Sequence, residues 1–150
     1  MEYNLQRFLD AQQRYYDIAK YELSQGEKES HYMWFMFPQI KGLGYSFNAN
    51  YYAINDIDEA RLYLQNPILK SHMNEVLDIL LDLQCNNAYM IFGTPDDMKL
   101  KSSMTLFKIA DPSNERFDKI LQKFYKGKQD EFTIQILQNQ QNDLENSKII

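Results

Sequence analysis

Helical periodicity, interrupted again and again by capping residues, is what most constrains the fold of this chain. Apolar residues recur at Leu5, Phe8, Leu9, Tyr16, Ala19 and Leu23, and Gly26 follows as a stop signal. Asp56 with Glu59 makes a capping pattern for a short helix through Ala60, Leu62, Tyr63 and Leu64. Asn66-Pro67 then supplies an N-cap and a first-turn proline for a helix carrying Leu69, Met73, Val76, Leu77 and Leu80, which puts His72 on its outer side. Ala88 to Phe92 reads as a short turn ended by Gly93. Thr94-Pro95-Asp96-Asp97 opens a helix to Ala110, with acids in the first turn where the helix dipole favours them. Asp111 and Pro112 stop it, Ser113 caps the next helix through Phe117, Ile120, Leu121 and Phe124, and Asp130 begins a last one through Phe132, Ile136 and Leu137. No stretch alternates as a strand would. The expected fold is all-α: a compact single-domain bundle of about six helices over residues 1–137, with 138–150 a polar, frayed tail.

One stretch departs from this amphipathic pattern. Met33, Trp34, Phe35, Met36 and Phe37 are consecutive and include the chain's single tryptophan, so the segment is buried on all sides or part of it lines a pocket. Pro38 blocks helical continuation, and Gly42 and Gly44 permit backbone angles or close approaches that other residues resist. An irregular Gly/Pro loop is therefore expected over 38–46. His31, Gln39 and Ser46 are its ligand-capable polar groups; the alternative is that Trp34 is core and that His31 and Gln39 satisfy buried backbone.

A second polar feature lies on the helix after Thr94. Asp97, Lys101 and Lys108 share a narrow polar edge, the solvent side, whereas Asp96, Lys99, Ser102 and Thr105 form a slanting ridge among Met98, Leu100, Leu106, Phe107 and Ile109. A charge in that arc is costly unless it is paired or faces a solvated cleft. Asp96 and Lys99 are thus either an ion pair or part of a site, with Lys99 facing an anion, Asp96 accepting a proton or a hydroxyl, and Ser102 donating. Gln12, in the middle of the first helix's apolar stripe, is expected to be a buried structural amide.

Composition narrows the function. A net charge of -5, with lysines and arginines scattered among acids, argues against a nucleic-acid partner. One cysteine and two histidines are too few for a familiar metal site, and no cofactor motif stands out: Phe47 occupies the third glycine position of a dinucleotide fingerprint. No apolar run reaches the ~20 residues of a membrane span and the first residues carry no secretory pattern, so a cytoplasmic protein is expected, monomeric or weakly dimeric.

Several local motifs carry a resemblance. They are Phe8-x-x-Ala11-Gln12 with Tyr16, Ser30-His31-x-Met33-Trp34-Phe35-x-Phe37-Pro38-Gln39 with Gly42-Leu43-Gly44-x-Ser46, Tyr52-Ala53-Ile54, Ile91-Phe92-Gly93, Asp96-x-x-Lys99 with Ser102, and Thr105-Leu106-Phe107. From Phe8 to Leu137 the chain resembles domain-of-unknown-function family 1810. The resemblance implies a compact all-helical domain of bacterial cytoplasmic type and carries no reaction or ligand with it. The calpastatin-like label given to some members has no support here, because nothing in the chain resembles an inhibitor repeat. Two functions follow as expectations. Either a small polar or anionic, nucleotide-like molecule binds between the 30–46 segment and the 94–110 helix, touching His31, Trp34, Gln39, Ser46, Asp96, Lys99 and Ser102, or the aromatic segment engages another protein without catalysis.

Overall fold

The computed structural model describes residues 2–149. Among these, nine helices follow one another: α1 (Gln6–Ser24), α2 (Met33–Met36), α3 (Phe47–Tyr51), α4 (Ile57–Gln65), α5 (Pro67–Asp82), α6 (Ala88–Phe92), α7 (Asp96–Ala110), α8 (Arg116–Tyr125) and α9 (Glu131–Ile149). The count exceeds the expected six because α2, α3 and α6 are four or five residues long, too short to show a period of 3.6 in the sequence. No strand forms among the described residues. A single parallel bridge joins Ile40 to Ile54, with Lys41 N donating to Ile54 O and Ile54 N to Gln39 O, both at 2.8 Å.

The caps act largely as the sequence indicates. Asp56 Oδ1 accepts from Glu59 N at 2.9 Å, and Asn66 Oδ1 accepts from Ile68 N and Leu69 N at 3.0 and 3.1 Å ahead of Pro67. Two caps differ from expectation. α7 begins at Asp96 with Pro95 at its N-cap position, and α8 begins at Arg116, because Ser113 Oγ donates back to Asp111 Oδ1 instead of capping.

The long helices enclose a core whose axis is a run of aromatic rings. Phe8 meets Tyr63 edge-on at 5.1 Å, Tyr63 meets Phe107 at 5.2 Å, and Phe107 meets Phe117 at 5.8 Å, all four fully buried. Burying each such ring contributes about 1.5–3 kcal/mol. Gln12, 1% exposed, is the buried amide the apolar stripe calls for: Nε2 donates to Phe35 O at 2.8 Å and to Tyr63 OH at 2.9 Å. Its Oε1 stands 2.8 Å from His72 Nδ1. His72 is therefore not on the outer side of α5; it is half-buried and stacked on Tyr16 with ring centres 3.6 Å apart. A second buried group ties the 51–59 segment to α1. Arg7 donates to both Glu59 carboxylate oxygens at 3.2 Å and to the Tyr51 and Ala53 carbonyls at 2.8 Å.

The tail also differs from expectation. α9 runs uninterrupted past 137 to Ile149, and Gln140 Nε2 donates to Asn55 O at 2.9 Å. The amide-rich sequence lacks an apolar face yet contains no helix breaker, so helical backbone continues while the side chains from Gln141 to Lys148 remain exposed.

Candidate functional site

Met33, Phe35, Met36 and Phe37 are each at most 5% exposed, but a single helical turn cannot point five consecutive side chains into one core. Trp34 is the one turned outward, half-buried, into a cleft of about 460 Å³. Three further elements complete the cleft: the loop through Gly44 and Ser46, the first turns of α7, and the start of α9 with Asp130 and Phe132. The loop is drawn in tightly. Gly42 has φ +110°, and a Cβ on Gly44 would lie 2.7 Å from Ala49 Cβ, so α3 sits closer to this loop than any side chain would allow. Ser46 anchors that contact by capping α3, its Oγ accepting from Ala49 N at 3.1 Å.

Of the seven residues singled out in the sequence, Trp34, Gln39, Ser46, Lys99 and Ser102 line this cleft. His31 and Asp96 do not line it. His31 is exposed in the turn ahead of α2. Asp96 stands behind Lys99, its Oδ1 3.6 Å from Lys99 Nζ and its Oδ2 2.8 Å from Lys28 Nζ. Lys28, with a side chain only 4% exposed, is the residue that sequence reasoning missed here. Lys28 Nζ also donates to Ser30 O at 2.5 Å and lies 4.8 Å from the Tyr32 ring centre. The turn carrying it is fixed by Glu22, whose carboxylate accepts from Glu29 N, Ser30 N and Ser30 Oγ. Burial pushes the Glu22 carboxyl up, but those donors outweigh it and hold the group below the usual carboxylate range.

The slanting ridge on α7 is thus satisfied in three ways. Asp96 is met by Lys28 from another segment. Lys99 reaches into the cleft with its Nζ 5.2 Å from the Trp34 ring centre and a quarter of its side chain exposed. Ser102 and Thr105 meet Asp130: Ser102 Oγ lies 3.1 Å from Asp130 Oδ2 and 3.2 Å from Met98 O, and Asp130 N donates to Thr105 Oγ1 at 2.9 Å. Ser102 has one proton for two acceptors and no histidine beside it, so it is a fixed polar group, not an activated nucleophile. Asp130 lines the cleft and was also missed. The only sequence signal for it was its position at the start of a helix, which carries no information about a cleft.

Two other concavities have different chemistry. A cleft of about 600 Å³ between α4 and α9, lined by Ile57, Ile109, Leu137 and Leu144, is mainly apolar, and its Arg61 already faces Asp58 at 3.5 Å. A groove of about 460 Å³ between α1 and α5 is lined by Leu9, Tyr16, Ile68 and His72. Beside the second groove Lys20 Nζ lies 5.5 Å from the Tyr16 ring centre, but that lysine is held by Glu75 and the ring is stacked on His72. Among the described residues no three His, Cys, Asp or Glu side chains converge as metal ligands, and no helix is long and apolar enough to cross a membrane.

Comparison with known proteins agrees with this architecture. The crystal structure of the conserved hypothetical protein Rv1873 from Mycobacterium tuberculosis superposes with a TM-score of 0.87 at 42% identity, covering 89% of this chain and 95% of that one. No curated protein matches. A family model described as a protein of unknown function, DUF1810, matches residues 2–137, and the chain belongs to that family.

Proposed function

We propose that this protein binds a small anionic polar molecule in the cleft between the 38–46 loop, α7 and α9. The observation that carries the reading is the pairing of Trp34 with Lys99. Trp34 alone leaves the apolar run to line the cleft, and Lys99 stands beside it while Lys28 meets the carboxylate that would otherwise hold Lys99. An aromatic face next to a cation that is only loosely paired suits a planar or sugar-like ligand with a negative group, and the Gln39 carboxamide and Ser102 add polar contacts that set its orientation. A nucleotide or sugar phosphate is the chemical class that uses all of these.

The chain's single tryptophan makes occupancy directly readable. Titrating inorganic phosphate, pyrophosphate and adenosine monophosphate while following Trp34 emission should give a saturable change with at least one of them, and Lys99→Met should abolish it. A flat response to all three, with the protein folded, overturns the reading.

A second reading rests on the rim of the cleft, where Tyr45 is 94% exposed and Phe132 73%, with Phe47, next to Ser46 in the chain, 78% exposed. Such rings suit contact with another protein. Sedimentation that showed self-association lost on Tyr45→Ser and Phe132→Ser, together with no anion effect on Trp34, would favour that reading.

A further inference from the structure

Asp130 is held by donors on one side only. Its Oδ2 lies 3.1 Å from Ser102 Oγ and accepts from Thr133 N at 3.1 Å and Thr133 Oγ1 at 2.5 Å, and its backbone N–H is tied to Thr105. Oδ1 accepts nothing among the described residues, and Asp130 lines the same cleft as Lys99. Ser102, whose Oγ meets Asp130 Oδ2 at 3.1 Å, lies three residues after Lys99 on α7, about 4.5 Å along the helix axis, so Asp130 borders the cleft beside the turn of α7 that follows Lys99. The cleft therefore offers one cation and, from the facing wall, one carboxylate oxygen that can only accept.

From this pairing we infer that the ligand is a hydroxyl-bearing phosphate of sugar size, whose anionic group lies at Lys99 and whose hydroxyl donates to Asp130 Oδ1. The inference rests on the anion-binding reading above and narrows it. A single carboxylate oxygen matches a hydroxyl, which brings a proton and no charge. An ammonium at the same place would be drawn by Asp130 but repelled by both Lys99 and Lys28. Phe132 and Trp34 supply the apolar surface against which the carbon face of a sugar packs.

The test compares three phosphate monoesters by Trp34 emission and calorimetry: ribose 5-phosphate, cyclopentylmethyl phosphate, which keeps the ring and charge without hydroxyls, and 5-aminopentyl phosphate. Ribose 5-phosphate is expected to bind at least about tenfold tighter than the carbocycle, because an analogue lacking the hydroxyl leaves the Asp130 oxygen unpaired. Asp130→Asn should reduce that difference and leave the carbocycle unchanged. Its amide oxygen still caps α9, while its NH2 can only donate to the hydroxyl, a neutral bond in place of a charge-assisted one. Equal, Lys99-dependent binding of ribose 5-phosphate and the carbocycle overturns the hydroxyl assignment and leaves the anion site standing. Tightest binding of the aminopentyl ester, or equal weakening of all three by Asp130→Asn, overturns it as well. No binding of any ester or of the simple phosphates removes both readings.

Discussion

Asp96 has two carboxylate oxygens and two lysines, and the way they are shared sets what each lysine does for folding. Lys28 is nearly fully buried at 2.8 Å, whereas Lys99 is at 3.6 Å and a quarter exposed. Lys99→Met is therefore expected to change stability by less than about 1 kcal/mol, the range of a partly exposed pair. Lys28→Met should cost on the order of 2–3 kcal/mol, below the value for a fully buried pair because Asp96 keeps Lys99 and some solvent. Thermal melts of the two variants check this, and equal losses would contradict it. The i,i+3 spacing makes the Asp96–Lys99 pair legible in the sequence. Lys28, 68 residues before Asp96, has no local pattern that could reveal it.

His72 carries the second prediction at this scale. Gln12 Nε2 faces two acceptors, so Gln12 Oε1 is fixed as an acceptor and the His72 proton sits on Nδ1. Burial holds the imidazole below its ordinary pKa of 6.5, with Glu75 and Asp17 pulling the other way and Lys20 adding to the lowering. The unfolded chain takes up a proton as pH falls through 6.5 and the folded chain does so only at lower pH, so stability drops with pH in that window. The melting temperature should fall between about pH 7.5 and 5.5, and fall less in His72→Gln, whose carboxamide can still donate to Gln12. Equal slopes in the two proteins would count against it.

At the scale of elements, the long helices showed in the sequence because two or more turns display a period, with a cap added at α4 and α5 by Asp56 and Asn66. α2, α3 and α6 are single turns whose conformation is set by what they pack against. α2 exists because Met33, Phe35 and Met36 enter the core; α3 exists because Ser46 caps it and Arg7 holds the Tyr51 carbonyl at its end. The same distinction explains the site. The sequence singled out two dense polar–aromatic stretches, the 30–46 segment and α7, because each held groups that it could not satisfy internally, and both border one cleft. It gave no sign of the α9 wall, since the contact between Asp130 and Ser102 depends on how a helix folds back across 28 residues. His31 was misplaced for a related reason. Tyr32 and Met33 just after it are buried, but the bend at Ser30 and His31 leaves it exposed to solvent.

For the whole molecule the open matter is where the cooperative unit ends along α9. Its first turns are built into the body: Thr133 is fully buried, Ile136 and Leu137 pack against the core, and Asp130 ties it to α7. Beyond Leu137 the ties thin to Gln140 on Asn55 and to Leu144, 56% exposed, over the cleft that holds Ile57 and Ile109. Removing residues 139–150 discards one neutral hydrogen bond, worth about 0.5–1.5 kcal/mol, and a small partly solvated apolar contact. The shortened chain should therefore fold cooperatively with a melting temperature lower by a few degrees, since for a domain of this size about 1 kcal/mol corresponds to ~2–4 °C. Trp34 emission should not move, because every element lining its cleft is kept. A shortened chain that loses cooperative melting would place the end of α9 inside the folding unit, and a shifted Trp34 spectrum with normal melting would show that the far half of α9 holds the near half against the cleft.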